Sequence, residues 1–257
     1  MNKHFRINQV LQTFLVIGVL INFTQSALAH NSFEHNRVLE GTSLTNHMLI
    51  GHGCGGSSGE TVIGTSVVFP DGNDSIITID GNLHEGPLDD FIQGWGANFR
   101  VLQDRSVFDA MDAKRDENGN VVGLWAGGGP GVPASNNAQI PFRMSSSFFN
   151  PDSCAKSVRF AIAVADVCTF TTIADFDSDT VSLWTPAVGS KFDGTPGGGH
   201  STYDSPPFLT LARDLENNPL PESCGEGIEE VVVKPSAAQI DRDMPVRING
   251  QQVWPQN

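Results

Sequence analysis

Apolar and β-branched residues recur along the chain in short runs separated by turn residues, a pattern that predicts strands rather than long helices. Residues 60–70, ETVIGTSVVFP, make one such run and residues 75–80, SIITID, another. The PDGND between them is turn chemistry, so the two runs predict a hairpin. Asn118-Gly119 signals a tight turn that leads into a strand over 118–125. Residues 139–144 (QIPFRM), 157–168 (SVRFAIAVADVC), 179–186 (DTVSLWTP) and 229–235 (EEVVVKP) complete the series. Within 157–168, Val158, Phe160, Ile162, Val164 and Val167 largely alternate with Arg159, Ala161, Ala163 and Ala165. That predicts a strand lying across a core, with small side chains on one face.

Helical periodicity is rarer. Residues 85–115 carry the best pattern, with Pro87 at a helix start, Asp89 and Asp90 in the first turn and apolar residues three or four apart. Residues 235–245, PSAAQIDRDMP, predict a single short helix. The 27 glycines, 15 prolines and the loop-like AGGGPGVPASNN and DGTPGGGHSTYDSPP add long connections. The fold expected is mainly β, an immunoglobulin-like β-sandwich with long loops, a few short helices and two disulfides. A mixed α+β layout is its nearest competitor.

One apolar run is different in kind. Val10–Phe23 follows the basic Lys3 and Arg6 and precedes Ala27-Leu28-Ala29, which predicts an export signal over residues 1–29, cut after Ala29. The run is shorter than the roughly 20 apolar residues a membrane span needs, and none like it follows. Residues 30–257 are then expected to form one β-rich domain, without a membrane span, in the periplasm, secreted or at the cell surface. Losing Lys3 and Arg6 from 15 basic residues leaves 13 against 29 acidic ones, a net charge near −16. That surface argues against nucleic acid and anionic lipid as partners and suits a cation. Cys54, Cys154, Cys168 and Cys224, widely spaced in an exported chain, read as two disulfides. Of the three pairings, closeness along the chain favours Cys154 with Cys168, leaving Cys54 with Cys224.

Cleavage after Ala29 would make His30 the first residue. An N-terminal histidine offers its α-amino nitrogen and its imidazole Nδ1 to one ion, in a chelate ring that an internal histidine cannot close. The amine and ring have ordinary pKa values of about 8 and about 6.5, so both become neutral donors at modest cost. Nitrogen donors of this kind suit copper(II). Glu34, His35, His47 and His52 follow closely enough to be further candidate ligands, although His47 and His52 need a bend at Gly51 or Gly53 to meet. His84 and His200 are the remaining histidines, the latter in a glycine-rich loop.

The segment HMLIGHGCGGSSGETVIGTSVVFPDG (47–72), preceded by HNSFEHNRVLEGTS at the expected N-terminus, resembles the YcnI-like exported bacterial copper-binding proteins. The matching motif is His52-Gly53-Cys54-Gly55-Gly56, followed by a β-branched run and the turn Pro70-Asp71-Gly72. The resemblance implies a β-sandwich in which His30 chelates copper(II), with a carboxylate and a tryptophan nearby. Glu34, Glu60, Trp95 and Trp125 are candidates for those two roles. Residues 149–168 and 218–227 are more loosely similar to copper-scavenging surface proteins of the MopE and CorA type from methane oxidisers. Those hold copper(I) through two histidines and an oxidised tryptophan two positions before one of them. Here Trp95, Trp125, Trp184 and Trp254 are followed two positions later by Ala97, Gly127, Pro186 and Gln256, so that site has no counterpart.

Asp175, Asp177 and Asp179 alternate as in a calcium loop, which makes calcium a second candidate cofactor. The sixth position is Thr180 instead of glycine and the twelfth is Pro186 instead of glutamate. No nucleophile elbow, zinc-protease, phosphate-loop or dinucleotide signature is present. The expected function is therefore capture or delivery of copper through His30, with the copper ion and a membrane copper transporter or another periplasmic copper protein as partners. The competing readings are an oxidative copper enzyme of the histidine-brace type and a non-catalytic extracellular structural or adhesion module.

Overall fold

The computed structural model describes residues 31–56, 58–96, 99–186, 189–193, 198–199 and 206–257. The strands of its first half are β1 (Ser32–Phe33), β2 (Arg37–Leu39), β3 (Leu44–Ile50), β4 (Val62–Val68), β5 (Ile76–Ile79), β6 (Asn82–His84), β7 (Ile92–Gln93), β8 (Phe99–Val101), β9 (Ala110–Arg115) and β10 (Val121–Val132). Then follow β11 (Ala138–Met144), β12 (Phe148–Phe149), β13 (Ser157–Ala161), β14 (Ala163–Val167), β15 (Val181–Trp184), β16 (Gly198–Gly199), β17 (Phe208–Ala212), β18 (Val231–Lys234), β19 (Val246–Ile248) and β20 (Gln251–Trp254). The one α-helix among the described residues is α1 (Ala237–Asp243).

Two six-stranded sheets form the sandwich. One runs β16-β15-β14-β4-β10-β9 and the other β2-β17-β13-β18-β5-β6, while a four-stranded sheet, β1-β3-β11-β8, adds a third wall. All three send side chains into one core, exemplified by Phe142, Phe160, Val67, Val164 and Leu124. The outer face of the β14-β4-β10 sheet is not left wet. Trp125, Ala165, Val167 and Leu183 on that face are buried under α1 and the β19-β20 ribbon, through Ile240, Met244, Val246 and Trp254. A sheet covered on both faces reads as a nearly continuous apolar run, which is what residues 157–168 do.

Several expectations hold. Strands stand over 139–144, 179–186 and 229–235, and the Asn118-Gly119 turn, with Gly119 at φ 82°, delivers the chain into β10. The short C-terminal helix is present, its N-terminus capped by the Ser236 side chain accepting from Gln239 N–H at 3.0 Å.

Four expectations are corrected. The runs at 60–70 and 75–80 are not a hairpin: β4 and β5 belong to opposite sheets. Asp71 Oδ1 accepts from the N–H groups of Asn73 and Asp74, so the intervening turn is tight, but it carries the chain across the sandwich. Residues 157–168 are two strands, since the chain leaves one sheet after Ala161 and enters the other at Ala163. Phe160, Ile162 and Val164 all keep facing the shared core, so the alternation hides the change of sheet. The described residues of 85–115 form no α-helix. A 3₁₀ turn at Leu88–Asp90 is followed by β7, and Gly94 and Gly96, at φ 77° and 79°, turn the backbone out of helical space before β8 and β9.

The fourth correction is the disulfides, which join Cys54 with Cys168 and Cys154 with Cys224. Cys154 and Cys168 bracket two consecutive strands. Strand backbone advances roughly 3.3 Å per residue, so neighbours along this chain are carried far beyond the Cα separation of about 7 Å that a bridge tolerates.

Candidate metal centre

Consecutive residues of β4 hold one buried charge on each face of their sheet. On the inner face, Thr65 Oγ1 donates to Asp166 Oδ1 at 2.7 Å, from the directly opposed position on β14. Asp166 is 1% exposed. Burial pushes its carboxyl up to about 6, against the restraining pulls of the Thr65 hydroxyl, the Asn31 amide and the positive potential of His52.

The His52 segment is clamped to this strand. Cys54 is disulfide-bonded to Cys168, which lies two residues beyond Asp166 and shares its face of β14's line, and Cys54 N–H points at Cys168 Sγ at 3.1 Å. Glu60 N–H closes the loop onto Cys54 O at 2.9 Å. The crossing is so close that a Cβ at Gly53 would lie 1.9 Å from Glu60 O, which is why glycine follows His52. His52 Nδ1 meets the Gly53 carbonyl oxygen, and a carbonyl can only accept, so Nδ1 carries the proton.

The described chain starts beside the same place. Ser32 pairs with Leu49 and Phe33 with Met48, so β1 runs antiparallel along the end of β3 that leads into Gly51 and His52. Asn31 is 2% exposed. Its amide faces Asp166 and holds that carboxyl down, although Asn31 Nδ2 makes no well-formed hydrogen bond among the described residues. A buried amide donor left without a partner costs on the order of 1–3 kcal/mol.

The other expected ligands disperse. His47 points away from the core on β3, and its Nδ1 meets Glu34 Oε2 at 2.5 Å, with both side chains partly exposed. His35 is exposed, its backbone N–H and C=O held by Asn46. Glu60 is exposed, Trp95 stacks on Phe160 and donates to Pro70 O at 2.7 Å, and Trp125 lies in the outer apolar cluster. Asp177 spends Oδ1 on the N–H groups of Asp179 and Thr180, a local turn. His30 and His200 lie outside the described residues. Among the described residues, no three histidine, cysteine, aspartate or glutamate side chains converge to hold a metal ion by themselves. Asp166 was missed in the sequence although it continues the even-numbered inward positions 160, 162 and 164.

On the outer face Ser66 serves Lys114. Lys114 Nζ donates to Ser66 Oγ, which donates onward to Met244 O at 2.5 Å. Burial pushes the Lys114 ammonium down to about 7, with Asp243 opposing and Arg247 reinforcing that change. The Lys114 ammonium is thereby tied to a backbone carbonyl through one hydroxyl.

No protein-family model and no curated protein matches the chain. Among solved structures, an uncharacterized protein from Nocardia farcinica, whose crystal structure is said to reveal an immunoglobulin-like fold, is 14% identical. That similarity covers 72% of this chain and 99% of the other, with a TM-score of 0.33.

Proposed function

We propose that this chain is an exported protein that captures or delivers one copper(II) ion, with His30 as the freed N-terminal chelator and Asp166 and His52 as further ligands. The observation that carries this reading is Asp166. It is a carboxylate buried on the inner face, with one hydroxyl as its close hydrogen-bond partner and the unpartnered Asn31 amide facing it. Asn31 is the residue joined to His30, so cleavage after Ala29 would free the amine of the residue that precedes it in sequence. A bound cation would neutralise the buried charge, which is otherwise costly. The donor set of amine, imidazole and carboxylate fits copper(II) better than the oxygen-seeking calcium or magnesium.

The two disulfides belong to an oxidising compartment. No described helix is long and apolar enough to cross a membrane. Both are compatible with a place outside the cytoplasm.

The test is copper(II) titration followed by electron paramagnetic resonance, on protein beginning at His30 and on protein with one alanine before it. The expected result is one tightly held copper with nitrogen hyperfine structure, weakened roughly a hundredfold by the added alanine, on the order of 2.7 kcal/mol. Equal binding by both forms, or none by either, overturns the reading.

A further inference from the structure

A second pocket, independent of the metal reading, has a volume of about 390 Å³ and lies where the β7-β12 ribbon meets the turn that follows β17. That volume falls within the roughly 300–1,000 Å³ of small-ligand pockets. Phe148 stands at its edge with 52% of its surface exposed, directly across the ribbon from Gln93. Phe148 is one of four exposed large apolar side chains among the described residues and the one of them that lines this pocket. An exposed ring at a pocket edge offers an apolar face to a ligand.

The pocket is prebuilt. Glu40 accepts from the backbone N–H groups of Phe149 at 2.8 Å and Asp214 at 2.7 Å, and from Asn218 Nδ2 through both oxygens. Gly41, at φ 75°, lets the Phe148 ring approach so closely that a Cβ there would sit 3.3 Å from it. The ring is therefore braced at one edge.

What remains free defines the ligand. No cation lines the pocket. The nearby Arg213 is spent on the carbonyls of Asn218, Ser153, Pro151 and Pro219 and on Asn218 Oδ1. An anionic ligand would find no countercharge, and the net charge of −14 would repel it. Two backbone donors at the rim are already engaged: Gly41 N–H donates to Ser147 O and Phe149 N–H to Glu40 Oε2. At the rim stand an aromatic face, the Gln93 amide, and the Asn217–Asp214 pair, in which Asn217 Nδ2 donates to Asp214 Oδ2 at 2.8 Å and holds that carboxyl below the usual range.

We propose that this pocket binds a neutral sugar unit of a glycan, with Phe148 stacked on the sugar's C–H face and Gln93, Asn217 and Asp214 bonded to its hydroxyls. Planar amide and carboxylate groups accept and donate in the spacing of vicinal hydroxyls, and an aromatic ring covers the apolar face between them.

Isothermal titration of the intact protein with cellohexaose, laminarihexaose, mannohexaose and chitohexaose tests this directly. The expected outcome is saturable binding to at least one, weakened about tenfold by Phe148→Ala and held within about threefold by Phe148→Tyr and by Leu83→Ala, a control exposed elsewhere. Gln93→Ala, also on the surface, is expected to weaken binding severalfold. Binding to none of the four, or full binding by Phe148→Ala, overturns the proposal. Self-association that Phe148→Ala abolishes, in the absence of glycan binding, overturns it in favour of a second copy of the chain.

Discussion

Thr65 and Ser66 are neighbours on one strand, each holds a hydroxyl against a buried charge, and the two sites differ in almost every other respect. Lys114 is roofed by α1 and the following ribbon, and its Ser66 partner passes the chain of hydrogen bonds to a backbone carbonyl. Asp166 faces an amide without a partner and lies beside the first described residues of the chain. At the charge itself the difference is plain: Lys114 is tied through Ser66 to a backbone carbonyl, whereas the amide facing Asp166 is left without a well-formed hydrogen bond.

The strongest way to break the comparison is to release the clamp on the Asp166 side. Replacing Cys54 and Cys168 together by alanine opens a loop with a sequence separation of 114 residues and is expected to cost about 2–5 kcal/mol in chemical denaturation. Copper affinity should fall with it. Replacing Cys154 and Cys224 should cost a similar amount of stability and leave the affinity of the folded protein unchanged.

Ser66→Ala strikes the closed side, leaving the Lys114 ammonium without its hydroxyl. The expected cost is about 1–3 kcal/mol at neutral pH, measured by urea unfolding, with copper binding intact.

Proton linkage sharpens the contrast because the two groups act with opposite sign. For Lys114, lowered from 10.5 to about 7, the unfolded chain holds a proton that the folded chain has lost between those values. Its contribution makes stability rise with pH across that window, by up to about 1.4 kcal/mol per pH unit. For Asp166, raised from 3.8 to about 6, the folded chain holds the extra proton, so metal-free stability falls as pH climbs through that range. Lys114→Met should flatten the alkaline slope and Asp166→Asn the acid one. Slopes unchanged in either variant would contradict the assignment for that residue.

The smallest effect is expected at Glu34 and His47. Their side chains are 41% and 26% exposed, and exposed ion pairs contribute at most about 1 kcal/mol. Glu34→Gln should shift the thermal midpoint little and leave copper affinity within about twofold, the scale of an exposed pair. A large loss would move the metal centre to the outer face of β3.

Part of the architecture was legible because period-two alternation records burial directly: the strand around Val233 follows it, with Val231 and Val233 buried and Val232 and Lys234 half-buried. What alternation cannot record is which sheet a strand joins. Ile162 points into the same core as Phe160 and Val164, so the step between sheets leaves no trace in polarity. The disulfide pairing was hidden for the same reason, since it depends on where extended strands end. In the candidate site, the His52 loop was visible through its glycines, whereas Asp166 was passed over. An acid on an inward position of an otherwise apolar strand was the available signal, and an apolar strand seldom admits one without a partner.

The central claim is that copper meets the Asp166 side of the sheet and ignores the Lys114 side. Copper(II) titration of Asp166→Asn and Lys114→Met, each beginning at His30 and compared with the parent protein, measures this. Affinity is predicted to fall at least about tenfold, roughly 1.4 kcal/mol, in Asp166→Asn and to stay unchanged in Lys114→Met. Equal affinity in all three proteins would contradict the account.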